Sequence, residues 1–356
     1  MRKIRLLDLD LVPAVRSQSV YHAVAYAQQE ESPDTIILVS PADPYVCIGF
    51  HQELEKEVDL AFCERHRLPV YRREVGGGAV YLDAGQIFTQ WIFRPHRLPP
   101  DLESRFKLFV QPIVDTYQSY GVKAYYRPIN DIHVDGKKIG GTGAALIGSA
   151  DVVVGSLMLA FDKNTMAKVL KVSSEKMRDK VYESLQQYMT TLGEQMGHIP
   201  DRAAIRDRYI ESCSRVLEAE LVPGALTEDE QDKAEELDRR LASDEWLHQK
   251  GALRQVGVKI HEDVRVVEAA FKAPGGLIRV TARVRDRHIE DVEFSGDFTL
   301  LPAFSLSALE RELRGVLARR EEVVMRAEEV YRGLRIASPG IVPADFGEVI
   351  GLALKT

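Results

Sequence analysis

The 356-residue sequence predicts an α+β fold in two domains. Three observations lead there. Short apolar runs bounded by Gly, Pro and Asp resemble hairpins more often than alternating strand–helix units. Segments with apolar residues at helical spacing lie between them. A charged stretch over 227–240 (TEDEQDKAEELDRR) then separates this pattern from a second set of strand-like runs beyond Trp246. We expect a larger domain over residues 1–245 and a smaller α+β domain over 246–356.

Taken in order, residues 19–31 have helical spacing, and 35–50 (TIILVSPADPYVCIGF) read as two strands around a turn at Pro41, Asp43 and Pro44. Residues 57–70 place Val58, Ala61 and Phe62 on one helical face. The block 70–93 is strand-like at both ends, with Gly76, Gly77 and Gly78 between. An amphipathic helix over 101–121 stops at Gly121, followed by a hairpin over 129–148 and a buried strand over 151–162. Residues 163–216 look mainly helical. The charged stretch lacks aromatic residues and reads as a solvated helix. Beyond it, 264–298 holds three strand-like runs joined at Pro274-Gly275-Gly276 and at Asp286, with helices around 305–318 and 321–333.

Composition narrows the class of function. With 47 basic and 54 acidic side chains the formal charge is −7, which gives no reason to expect whole-chain binding to nucleic acid. Cys47, Cys63 and Cys213 are far apart and form no CxxC pair, so they read as reduced thiols of a cytoplasmic protein. Asp8 and Asp10 interrupt any signal-peptide core, and no run approaches the ~20 apolar residues of a membrane helix. The nine histidines show no HExxH or paired His/Cys spacing. Neither a GxSxG elbow nor a GxxxxGK[ST] phosphate loop occurs, and Gly141-Thr142-Gly143-Ala144-Ala145-Leu146 fails the dinucleotide fingerprint at its last position.

Two glycine-rich blocks remain. In Arg72-Arg73-Glu74-Val75-Gly76-Gly77-Gly78, cations precede backbone that a phosphate or carboxylate can approach closely. The same run also suits a wide turn with solvated arginines. In the second block, Asn130-Asp131 precedes a hairpin tip at Asp135-Gly136, then Lys137-Lys138-Ile139-Gly140-Gly141-Thr142-Gly143. Lys138, beside flexible backbone, reaches an anion as a long point charge or serves as an ordinary surface lysine. Together the blocks point to an anionic small molecule.

These stretches resemble the lipoate–protein ligase A family, related in fold to biotin ligases and octanoyl transferases. Its pattern is approximately RRxSGGGAVYHDxGNxxxS, then NDxxVxGKKIxGxAxxx, then HGTLLL. The matching segments are Arg72–Gln90, Asn130–Gly143 and Val154–Leu159, with Ile48-Gly49-Phe50-His51-Gln52 similar to the family's IGRxQN. Residues 176–192 resemble the segment after the family's core, and Phe294-Ser295-Gly296-Asp297-Phe298 its small C-terminal accessory domain. The resemblance implies a mixed-sheet ligase-like catalytic domain and a monomer. It implies ATP-dependent activation of lipoate as lipoyl-AMP, then transfer to a lysine of a lipoyl carrier protein, glycine-cleavage H-like or a specialised sulfur-oxidation carrier. By position it makes Lys138 the catalytic lysine. Arg73, Gly76, Gly77, Gly78, Asn130, Gly141 and Thr142 would bind lipoate and adenylate, and Asp131 would hold Mg²⁺.

The sequence also departs from the family. Val75 replaces the serine before the glycines, Leu82-Asp83 the HD pair, Gln86 and Gln90 an asparagine and a serine, and Val154 the histidine of HGTLL. Gly140 and Gly143 stand at two further small-residue positions. The changes at Leu82, Gln86 and Gln90 lead us to expect an altered choice of acceptor. Two other readings stay open: an ATP-independent octanoyl or lipoyl transferase, some members of which use a cysteine nucleophile that would have to lie near Lys138, and a non-catalytic module that binds lipoyl carriers.

Overall fold

The computed structural model describes residues 2–251 and 264–355. Its strands are β1 (Arg2–Val12), β2 (Thr35–Pro41), β3 (Tyr45–Ile48), β4 (Val70–Arg72), β5 (Val80–Leu82), β6 (Gln86–Phe93) and β7 (Tyr125–Arg127). They continue with β8 (Asp131–Val134), β9 (Lys137–Ile147), β10 (Ala150–Met158), β11 (Ala219–Pro223), β12 (Val264–Ala273), β13 (Gly276–Arg285) and β14 (His288–Gly296). The chain divides into two compact units. Met1–Cys47, Val58–Arg73 and Val80–Ser243 form the first, and Ile48–Glu57, Glu74–Ala79 and Asp244–Thr356 the second.

The first unit is built on an eight-stranded mixed sheet in the order β11-β1-β2-β6-β10-β9-β8-β7. β1 runs parallel to β11 and β2, and each pairing from β2 across to β7 is antiparallel. The central strands β2 and β6 are apolar-rich because every position of both is buried. Trp91 on β6 packs 5.4 Å from Phe93 and 5.1 Å from Phe109, and its indole N–H donates to the Tyr209 hydroxyl at 3.0 Å. A small second sheet has the order β4-β3-β5.

The helix Leu102–Ser119 starts where the Asp101 side chain accepts the Ser104 N–H, and the chain turns beyond it at Gly121, φ +80°. The helix expected over 57–70 is shorter, Leu60–Arg65. Asp59 caps it, so Val58 lies outside in a bridge to Leu170; Ala61 is exposed, and Cys63 is the residue buried. The charged stretch does form a helix, Glu228–Leu241, closed by a Thr227/Glu230 capping box. It is not solvated all round. Glu230, Ala234, Leu237 and Leu241 are buried at helical spacing, and the Arg5 guanidinium grips both Glu230 oxygens at 2.5 and 3.0 Å. The helix Glu175–Tyr188, by contrast, buries none of its residues and exposes Met177, Tyr182 and Tyr188.

In the second unit the antiparallel sheet β12-β13-β14 shares one core with the helices Ser305–Glu312, Arg320–Leu334 and Pro343–Ala353. Phe294 meets Phe346 edge-on at 5.1 Å, and Phe298 lies 6.4 Å from the same ring. The Gly296 N–H donates to the His51 carbonyl at 3.0 Å, and the His51 ring stacks on Phe298 at 5.1 Å. Glu57 pairs with Arg279, and Glu53 accepts the Ser295 hydroxyl at 2.5 Å. Among the described residues no helix is long and apolar enough to cross a membrane.

Candidate active site

The hairpin of β8 and β9 turns through Asp135 and Gly136, at φ +49° and +77°. Two successive positive φ angles are what a two-residue primed turn requires, so Asp-Gly is structural here. The register then slips: Ile132 opposes Gly140, but His133 opposes Lys138. Ile139 is the extra residue of a β-bulge, a device that re-aims neighbouring side chains.

Lys138 is aimed at Asp131. Its Nζ lies 2.6 Å from Asp131 Oδ1, with the two side chains 39% and 28% exposed, so the pair is open to a ligand. Gly141 sits opposite Asp131 in the ladder, and a Cβ there would lie 3.1 Å from both Cε and Nζ of Lys138. The lysine therefore folds across the bare face of Gly141. Asn130 and Thr142 bond to each other. The Asn130 side chain donates to Thr142 O at 2.7 Å, and the Thr142 N–H and hydroxyl donate to Asn130 O at 2.9 and 3.1 Å. They brace the strand pair that carries Lys138 and Asp131.

One member of this cluster carries no motif in the sequence. His133 Nε2 is 3.3 Å from an Arg127 nitrogen and 3.7 Å from Asp131 Oδ2. Burial, and after it the Arg127 guanidinium, push its pKa below the usual imidazole value against the pull of Asp131. The surroundings of Lys138 thus hold two cations, one carboxylate and a histidine held towards its neutral form, a set suited to an incoming anion.

Arg73 follows β4 and donates to the Cys47 carbonyl at 3.3 Å. The Cys47 thiol is pushed up by burial, against the pull of Arg73 and Arg72. Cys63 is pushed up to about 11 and Cys213 further, both chiefly by burial, and all three thiols are free and buried. Such thiols are poor nucleophiles. Gly76, Gly77 and Gly78 belong to the second unit. A Cβ on Gly76 would stand 2.6 Å from the Phe298 carbonyl oxygen, one on Gly49 1.9 Å from that of Gly77, and Gly77 has φ +95°. Close backbone approach accounts for Gly49 and Gly76, and left-handed geometry for Gly77.

Gln86 and Gln90 are interior, 3% and 2% exposed. The Gln90 amide donates to the Ser17 carbonyl at 2.8 Å, and the Ser40 hydroxyl to that of Gln86 at 2.6 Å. Both side chains lie inside β6 and present no exposed surface to an acceptor protein. Leu82 on β5 is half-buried. As for Mg²⁺, Asp131 is a single carboxylate with Oδ1 committed to Lys138, and among the described residues no group of three or more His, Cys, Asp or Glu could hold a metal. That donor set does not fit a protein-held Mg²⁺.

The mixed sheet and the lysine-bearing hairpin match the lipoate ligase fold. The chain belongs to the lipoyl protein ligase A/B catalytic domain family, which matches residues 18–214. It is 27% identical over 253 residues to lipoate-protein ligase A subunit 1 of Thermoplasma acidophilum, covering 68% of this chain and 95% of that one. It is 24% identical over 268 residues to the octanoyltransferase LipM of Moorella thermoacetica, covering 68% and 97%. Among solved structures, a bipartite lipoate protein ligase with its E2 lipoyl domain from Thermoplasma acidophilum superposes with a TM-score of 0.64 at 26% identity, over 71% of this chain and 100% of that one. Ligation or transfer of lipoyl-type groups is the activity these relatives share.

Proposed function

We propose that this chain is an ATP-dependent lipoate–protein ligase. It joins lipoate to AMP with release of pyrophosphate and passes the lipoyl group to a lysine of a lipoyl carrier protein. The observation that carries the proposal is Lys138, half-exposed and held by Asp131 across Gly141. The lipoate carboxylate attacks the α-phosphorus, pyrophosphate leaves, and charge builds on oxygens around phosphorus. An ammonium already oriented by a carboxylate stabilises that charge without reorganising. One of its three N–H bonds is given to Asp131, and the other two remain for substrate oxygens.

In the second step the carrier lysine attacks the acyl carbonyl and AMP departs, so no enzyme nucleophile is needed. Arg73 is assigned to the anionic part of the adenylate by its fork of donors. Any Mg²⁺ enters as the counter-ion of the nucleotide. The carrier is a lipoyl domain like that seen with the Thermoplasma ligase.

The form of the ATP-independent transferase reading that relies on a cysteine would need a thiolate. Its support is weakened by three buried thiols whose pKa values burial raises. Lipoate-dependent exchange of labelled pyrophosphate into ATP separates the two. A ligase catalyses it, and a transferase or a non-catalytic binding module does not.

A further inference from the structure

The bulge at Ile139 is what turns Lys138 toward Asp131. In a regular strand residues an odd number apart point to opposite faces, so Lys138 and Gly141, three apart, would lie on opposite sides of β9. With Ile139 as an extra residue they share a face, together with Asp131 and His133 on β8. Remove the bulge, and the ammonium leaves its carboxylate.

A bulged residue falls out of the strand ladder, so its buried polar atoms need partners from elsewhere. Ile139 is fully buried. Its carbonyl accepts a hydrogen bond at 3.2 Å from the hydroxyl of Tyr117, on the helix Leu102–Ser119. The same hydroxyl accepts the Met158 N–H of β10 at 2.7 Å, so one buried phenol ties the bulge to another strand of the sheet. A second tie holds the neighbouring peptide: the Thr190 N–H donates to the Lys138 carbonyl at 2.9 Å.

We propose that Tyr117 is a positioning residue for Lys138, acting through the bulged Ile139 peptide, and that its hydroxyl sets the direction of the lysine during adenylate formation. The inference rests on the ligase reading, which makes Lys138 the group that meets the substrate. Tyr117 touches no substrate. Its hydroxyl fixes where the ammonium points, so its loss lowers turnover and leaves the binding of ATP and lipoate largely intact.

The test uses the full chain and lipoate-dependent pyrophosphate exchange, with kcat and KM measured separately for parent, Tyr117→Phe, Ile139→Ala and Lys138→Ala. Tyr117→Phe deletes a single oxygen. The expected result is a roughly 10-fold fall in kcat with KM for ATP and lipoate within about 2-fold of the parent, since a misplaced catalytic group acts on the barrier. Ile139→Ala empties the bulge's side-chain site without touching the phenol and should give the same split; it stands in if Tyr117→Phe does not fold. Replacing Tyr117 by 3-fluorotyrosine, which keeps ring and hydroxyl, should restore kcat. Parent-like kcat in both Tyr117→Phe and Ile139→Ala, with Lys138→Ala inactive, overturns this inference alone. So does a loss that tracks only the fraction of folded protein by circular dichroism. Parent-like exchange in Lys138→Ala overturns the role given to Lys138, and this inference with it, whereas a parent that shows no lipoate-dependent exchange overturns the ligase reading.

Discussion

Lys138 Nζ and Asp131 Oδ1 lie 2.6 Å apart across neighbouring strands, so the carboxylate holds the ammonium before any substrate arrives. Lys138→Ala should lower pyrophosphate exchange by about 100-fold or more, the effect of losing one preorganised group that stabilises transition-state charge. Asp131→Asn keeps an acceptor oxygen and should lower kcat by less. Lys137→Ala removes a neighbour outside this pair and should stay close to the parent. Equal losses in Lys137→Ala and Lys138→Ala would contradict the assignment.

Gly141→Ala places a methyl 3.1 Å from Cε and Nζ of Lys138. The far end of a flexible side chain can move aside, so folding should survive while the ammonium is displaced. We expect kcat to fall by roughly 10-fold with little change in the thermal midpoint, because small misplacements near the chemistry are expensive in rate. Steady-state kinetics beside a melting curve checks it.

Gly76→Ala differs, because its methyl would meet backbone: the Phe298 carbonyl oxygen at 2.6 Å and Thr299 Cα at 2.9 Å. Strain of that kind should cost about 1–3 kcal/mol of stability. At Gly78 the nearest atom is Asp297 Cβ at 3.8 Å, an ordinary contact, so Gly78→Ala should be close to neutral. Urea denaturation of both variants would show the difference, and equal midpoints would refute it.

Glu310 gives a pH dependence with a definite sign. Burial pushes its carboxyl above the usual range, although Lys250 Nζ at 2.9 Å and the Phe294 N–H at 2.8 Å pull it down. The folded chain therefore holds this proton more tightly than the unfolded chain, whose glutamates titrate near ~4.3. The group's contribution to stability is fully present below that unfolded value and is lost as pH rises through the higher folded one. Glu310→Gln, which cannot ionise, should flatten this part of the stability curve in denaturant melts taken across and above the ordinary glutamate range. A steeper slope in the variant would reverse the argument.

Local patterns account for most of what is legible in the sequence. The Asp135-Gly136 turn, the helix before Gly121 and the three strand runs beyond 264 each follow from neighbouring residues alone. Grouping of Asn130, Asp131, Lys138, Gly141 and Thr142 follows from the hairpin, since cross-strand pairing brings them together. Features set by distant partners are not legible. β1 has the interrupted pattern RKIRLLDLDLV and becomes a strand by pairing with β2 and β11, far along the chain. The helix Pro343–Ala353 is apolar enough to pass for a strand until it packs in the C-terminal core. The bulge at Ile139 leaves no trace in KKIGGTGAAL, because the slip depends on which residue of β8 stands opposite. His133 and Tyr117 matter through tertiary contacts that spacing does not encode.

The membership of Ile48–Glu57 and Glu74–Ala79 in the second unit sets a rule for recombination. A crossover at 243/244 would bring in a foreign C-terminal region yet leave behind two of the three stretches that share its contacts. The incoming chain would then present its own residue where Phe298 stacks on His51 and crowds Gly76. A working chimera has to inherit all three stretches from one parent. By the same logic, substitutions in 48–57, 74–79 and 244–356 should travel together as lineages diverge, with no regard for the long intervals of sequence that separate them.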